Sequence, residues 1–179
     1  FQQYFFDPLF TLQDGRAIPV LVESYQWETP TRWRFVLKKG VHFHDGSELT
    51  ARDVVATFRR AARLRNNAYE HIKNHEIQAL DTYRFQIDTP FPNSELLWDL
   101  EDIRVIRHTA ENADSAAFNS GEQLIGTGPY RLIKRQGFEQ FELAAFMDYH
   151  RGPAYIRKVL IRAETDPEQR RAAFLAGET

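Results

Sequence analysis

The sequence contains no cysteine, which excludes disulfides, thiolate metal sites and a cysteine nucleophile. Compartment stays open, because a chain without thiols is at ease in oxidising and reducing surroundings alike. A dominant charge is missing too. Lys and Arg number 23 against 25 Asp and Glu, a net charge of −2, so no overall basic field draws the chain to nucleic acid. The apolar runs are far too short to cross a bilayer. No Gly-x-Ser-x-Gly or Ser-x-x-Lys nucleophile pattern occurs. The Gly-x-Gly of "GTGPY" precedes a strand, whereas a phosphate-cradling loop follows a strand and opens a helix. These absences leave no constellation that reads as an active site, and the expectation is a protein that is not an enzyme and holds no cofactor. The first residue is Phe rather than Met and no leader pattern opens the chain, so it reads as a processed or excised piece.

Aromatic side chains are plentiful: 14 Phe, 7 Tyr and 3 Trp, enough to build a core and to line a pocket. "FQQYFFDPLF" reads as a helix end stopped by Pro8. Gln13-Asp14-Gly15-Arg16 reads as a turn. A strand ends "VLVESYQWE". Residues 32–37 alternate Trp33, Phe35 and Leu37 with Arg32, Arg34 and Val36, the period of a half-buried strand, and "TPT" makes a hairpin with the strand before it. Val54, Val55, Phe58, Ala61, Ala62 and Leu64 recur at helical spacing after Thr50 and Asp53, which frame a helix start. Arg52, Arg59, Arg60 and Arg63 occupy the other side of that helix, a solvated face or a subdomain contact.

Two strands follow in "IKNHEIQAL" and "YRFQIDTPF". "NSELLWDL" is a short helix, "IRVIRH" a short strand and "TAENADSAAFN" a polar helix. Strands are expected in "YRLIKR", "FEQFELAAF" and "YIRKVLIRAE". A helix closes the chain, with Pro167 in its first turn and Gly177 past its end. The count is eight or nine strands and five helices, irregularly mixed, an α/β (mixed α+β) class. Trp27, Trp33 and Trp98 read as core or interdomain packing.

"VHFHDG" admits two readings. His42, His44 and Asp45 are potential metal ligands, the basis of a remote metallohydrolase alternative. They equally make a strand and a turn. A buried Phe43 would leave both histidines facing outward, and no further ligand spacing supports a metal, so the structural turn is the stronger reading. His71 and His75, four apart near a break, carry no stronger signal.

Several segments in order carry more than any one motif. "VLVESYQWETPTRWRFVLKKGVHFHDGSELTARDVVATFRR", "YRFQIDTPF", "AAFNSGEQLIGTGPYRL" and "DYHRGPAYIRKVLIRAETDPEQRRAAFLAGE" together resemble the extracellular solute-binding proteins of family 5, the peptide-, nickel- and oligosaccharide-binding components of bacterial ABC importers. The chain departs from the family pattern at Tyr25, where Trp is usual, and at Tyr149-His150, where Tyr-Trp is usual.

The resemblance implies a lobe fragment of periplasmic-binding-protein type II-like fold, with mixed sheets and an accessory subdomain. Residues 1–8 would be an edge of the first lobe, 9–124 the accessory subdomain, and 125–179 a return into the first lobe, the second lobe being absent. It makes Asp45, Gly46 and Thr50 a structural turn and helix cap. Gly126, Gly128 and Pro129 become a hinge or turn where the backbone crosses closely, and Tyr69 an aromatic that reaches toward the ligand. The implied function is capture of a peptide or related small solute by two-lobe closure, at the periplasmic or extracellular face of the cytoplasmic membrane. The implied partner is an ABC permease, with the protein a monomer and no nucleic acid bound. The alternative is a solute-sensing domain of a transcription regulator of the same fold.

Overall fold

Antiparallel pairing accounts for every sheet in the computed structural model, which describes residues 2–65, 67–137 and 139–177, with the side chains of residues 67, 68 and 71 outside that description. The mixture of α and β elements is as read; it is a mixture of elements rather than of strand directions. β1 (Phe10–Gln13) and β2 (Arg16–Pro19) form a hairpin. Asp14 and Gly15 both take positive φ at its tip, the conformation a tight two-residue hairpin loop requires.

A four-stranded sheet comes next, from β3 (Val22–Thr29), β4 (Arg32–Leu37), β5 (Glu76–Ala79) and β6 (Arg84–Asp88), in the order β3-β4-β6-β5. The alternation in β4 works as its sequence suggests: Trp33, Phe35 and Leu37 are buried. They meet Val54, Phe58 and Ala61 of α1 (Ala51–Leu64) in the first core. Phe35 stacks on Phe85 at 4.9 Å; each such ring contributes roughly 2–3 kcal/mol through the apolar area it removes from water. β3 is an edge strand, exposed beyond Val22. Trp27 therefore stacks on Trp33 at 5.3 Å yet stays half exposed, as does Trp98. Of the three tryptophans only Trp33 is core.

The second core belongs to a three-stranded sheet, β7 (Tyr130–Gln136), β8 (Gln140–Ala145) and β9 (Lys158–Arg162). Phe5, Phe6, Ile106, Ala110, Leu124 and Leu143 fill it. Short helices α2 (Asn67–Ile72), α3 (Leu96–Asp99) and α4 (Ser115–Asn119) connect the parts. The last helix, α5 (Pro167–Leu175), starts at the Asp166 cap with Pro167 in its first turn.

Two expectations are corrected here. The opening segment makes a single 3₁₀ turn, Gln2–Tyr4, and then runs extended. Phe5 and Phe6 enter the second core while Leu9 and Phe10 enter the first, a division between two sides that one helix stripe cannot serve. "IRVIRH" forms no strand. Arg104 makes one bridge to Pro8, and the Val105 N–H donates to Asp7 O at 3.0 Å. Pro8 has no N–H to extend that ladder.

Candidate functional site

The two cores meet at a seam built from the "FHDG" hairpin and the "GTGP" segment. The hairpin is closed by Phe43 N–H to Ser47 O (2.8 Å) and Gly46 N–H to Phe43 O (2.9 Å). Gly46 sits at φ 86°, a region costly for any residue with a Cβ. One Asp45 oxygen accepts from the Ser47 N–H and hydroxyl, and the other from Arg107. Partial burial works to raise the Asp45 carboxyl, but the hydrogen bonds from Ser47 and Arg107 hold it below the usual carboxylate range. Arg107 also donates to Gln123, so the turn is pinned to the segment leading into the second core.

Thr50 precedes α1, and Asp53 supplies the capping chemistry. One Asp53 oxygen accepts from the Thr50 N–H at 2.8 Å and its hydroxyl at 2.7 Å. The other accepts the His108 N–H at 2.7 Å and lies 2.8 Å from the His108 ring Nδ1. Asp53 is almost fully buried. It is thus both a cap for α1 and a bolt to residues 106–108, and sequence pattern had shown only the first role. Thr57 adds a second bolt, accepting the Ile106 N–H through its hydroxyl.

His44 does not face solvent. Its backbone N–H donates to Gly126 O at 2.9 Å, its ring Nδ1 accepts the Gly126 N–H at 3.3 Å, and its Nε2 lies 2.9 Å from Gly128 O. Accepting at Nδ1 places the single proton of the neutral ring on Nε2, where it donates to Gly128 O. Phe146 packs edge-on against the ring at 5.1 Å. Burial lowers the His44 pKa, which keeps that neutral tautomer. With both ring nitrogens engaged, His44 has none left for a metal. His42 pairs instead with Glu48 in an isolated bridge, and the His71 side chain lies outside the described residues. No three His, Asp or Glu side chains among the described residues gather as a metal site.

Gly126 and Gly128 are needed for contact rather than for an unusual φ. A Cβ on Gly126 would lie 2.0 Å from Phe5 O, and one on Gly128 would lie 2.6 Å from Phe5 C. The Gly128 N–H donates to that same Phe5 oxygen. Between them Thr127 is fully buried and donates to Asp7. Asp7 also accepts from the Tyr149 hydroxyl and contacts the His150 ring, each at 3.1 Å. Burial and the neighbouring Asp7 charge raise the Tyr149 phenol. His150, where the family pattern has Trp, therefore brings a polar partner to a buried carboxylate.

Beside this seam a cavity of about 830 Å³ opens between the Gln2–Tyr4 turn, α1 and α4. Gln2, Gln3, Arg104, Phe118 and Asn119 are among its walls. Arg60, expected on a solvated face, is buried here: its guanidinium lies 4.3 Å over the Phe118 ring and donates to the Glu111 and Ala113 carbonyls. Arg63 reaches the same carbonyls, whereas Arg52 and Arg59 are exposed. The half-buried Arg104 guanidinium has no hydrogen-bond or ion-pair partner among the described residues. Tyr69, half-buried on α2, is not part of this cavity wall.

Residues 16–179 match the sequence profile of the bacterial extracellular solute-binding proteins, family 5 (middle region). The HTH-type transcriptional regulator SgrR of Salmonella choleraesuis is 32% identical over 147 residues, 82% of this chain and 25% of that protein. The ABC transporter substrate-binding protein CtaP of Listeria monocytogenes superposes with a TM-score of 0.85 at 26% identity, over 99% of this chain and 38% of that one. The oligopeptide-binding protein AppA of Bacillus subtilis, solved with a nonapeptide, gives 0.81 at 22% identity over 98% and 37%; at that identity the likeness shows the fold alone. The chain spans about a quarter of the length of the curated relatives it matches.

Proposed function

The chain belongs to family 5 of the bacterial extracellular solute-binding proteins, and on that premise we propose that it is one jaw of a two-lobed solute-binding component of an ABC importer. Its work is grip, not bond-making. The observation that carries the reading is the fold itself, shared across nearly the whole chain with an ABC transporter substrate-binding protein. The cavity walled by Gln2, Gln3, Arg104 and Asn119 is this jaw's share of the cleft. Arg104 is a charge there with no hydrogen-bond or ion-pair partner among the described residues, suited to a carboxylate on a peptide or a small acidic solute. The first core, residues 9 to 105 with Ile125, is the accessory subdomain; the second core, from residue 106 onward together with Phe5 and Phe6, is lobe I. The packing of Ile106, Ala110 and Leu124 in the second core supports setting that division earlier than residue 124. The close contacts of Gly126 and Gly128 with Phe5 support reading the Gly126–Pro129 strap as a seam between the two. Capture would occur at the periplasmic or extracellular face of the cytoplasmic membrane, with hand-off to a membrane permease.

The test is ligand-dependent melting of the family-length protein that carries this chain. Short peptides, a nickel–histidine complex and an oligosaccharide are each added in turn, and one class should raise the melting temperature by mass action. If that ligand bears a carboxylate, Arg104→Ala should weaken it roughly ten-fold. No shift from any class, or Arg104→Ala binding as tightly as wild type, would remove the proposed site.

The similarity to SgrR favours a second reading, a solute-sensing domain attached to a DNA-binding one. Cell fractionation separates the two: an exported protein supports import, and a cytosolic protein that shifts promoter DNA supports regulation.

A further inference from the structure

Three histidine rings meet the seam, and they are wired to it in two ways. His108 and His150 each aim a ring nitrogen at a buried carboxylate, Asp53 at 2.8 Å and Asp7 at 3.1 Å. A proton added to either ring leaves a donor facing an acceptor. His44 differs. Its Nε2 proton already points at Gly128 O, so a second proton must go on Nδ1, which lies 3.3 Å from the Gly126 nitrogen and accepts its N–H. Two N–H groups would then meet head-on. The strap that carries Gly126 is held from two sides. On one, the His44 ring and backbone tie it to the first core's hairpin. On the other, the Gly128 N–H donates to Phe5 O at 2.8 Å and the Thr127 hydroxyl donates to Asp7 at 3.1 Å. Tyr149 and His150 hold Asp7 in turn. All of these contacts lie within the chain, and further chain around them could only enclose them more.

We propose that the seam is an acid-released latch: a proton on His44 frees the strap from the first core's hairpin, while Phe5 and Asp7 keep it on the second core. The groups around the ring set its response. Burial is the largest influence and holds His44 below its ordinary value; the Arg131 charge adds to it, while the Gly128 and Leu124 carbonyls and the Asp7 charge oppose it. The neighbouring Asp45 carboxylate is engaged by Arg107, and Arg151 interacts with Tyr149 beside Asp7. Opening hydrates the ring and returns it to about 6.5. Below that value the open seam binds more protons than the closed one, so falling pH favours opening. At higher pH the ring is neutral in both states and the latch is shut. The device is local: it parts two cores that each keep their own sheet.

The test is amide hydrogen exchange of the full chain, read by nuclear magnetic resonance at about pH 7.5 and about pH 5 and corrected for the intrinsic rate at each. Protection of the His44 and Gly126 N–H groups is expected to fall about ten-fold at the lower pH. The Gly128 N–H, bonded to Phe5, and the paired amides of β4–β6 and β7–β8 should keep theirs. His44→Asn retains an acceptor near the Nδ1 position and takes no proton, so its protection should be flat with pH. His150→Gln should respond to acid as wild type does. Circular dichroism at both pH values checks that each variant is folded, and the wild-type exchange decides the case by itself if either is not. Unchanged protection at Gly126, an equal fall at Gly128 and in the strands, or an acid response that survives in His44→Asn would each overturn the latch.

Discussion

The first and second cores share a seam but are completed differently. The first gathers twenty-two buried apolar side chains among the described residues, between a four-stranded sheet and the fourteen-residue helix α1. The second gathers eight, against a three-stranded sheet. A domain's independent stability follows the apolar area it removes from water, so the first core should stand alone while the second leans on the seam. The lesson is about where polar chemistry is spent. Asp53, His44, Asp45 and Asp7 are not scattered over the surface; they sit along the line where the weaker core is bolted to the stronger one.

Four substitutions break or sharpen that contrast. Asp53→Ala has the largest expected effect. It strands the Thr50 and His108 N–H groups, one at the cap of α1 and one on the second core's approach, and should cost about 4 kcal/mol in urea unfolding. Loss of under about 1 kcal/mol would mean the bolt is ornamental. Gly126→Ala comes next, at about 3 kcal/mol, because a Cβ would collide with the Phe5 carbonyl. Hydrogen exchange should rise in β7–β9 and stay slow in β4 and β6. Equal acceleration in both sheets would contradict a seam that serves the second core.

The third is a pH effect. The folded state holds His44 below its unfolded pKa, so between the two values the unfolded chain binds more protons and stability rises with pH. The His44 contribution is fully present above the unfolded value, near 6.5, and falls as pH drops toward the folded value. Protonation removes the Nδ1 acceptor for Gly126; Asp7 opposes that shift by attraction, and Arg131 reinforces it. His44→Ala should be less stable than wild type at neutral pH and flatter with pH across this window. A variant as steep as wild type would place the titration elsewhere. Smallest is Gly46→Ala, about 1 kcal/mol from φ strain alone, since no atom lies within 4 Å of the added Cβ.

Much of the framework was legible in sequence, because period and punctuation are local. The alternation of β4, the stripe and cap of α1, the Asp45-Gly46 turn and the Pro167 start of α5 all depend on residues a few positions apart. The seam was not legible. His44 meets Gly126 and Gly128 more than eighty positions away, and Asp53 meets His108 across fifty-five. Hydrophobic pattern says that Phe43 is buried; it does not say that the backbone then turns the neighbouring ring inward onto another segment. Arg60 shows the same limit, since only the Phe118 ring and two carbonyls make that position a good one for a buried guanidinium. The exposed Trp27 reflects strand order, an edge position that no local pattern in β3 announces.

The most direct test of the jaw is a pair of calorimetric titrations with one ligand, first into the family-length protein and then into this 179-residue chain. Half of a clamp should hold almost nothing: the longer protein binds and is stabilised, while the chain alone gives heats no larger than dilution. A chain that binds the same ligand with a comparable Kd would contradict the account, because the site would then be complete without a second lobe.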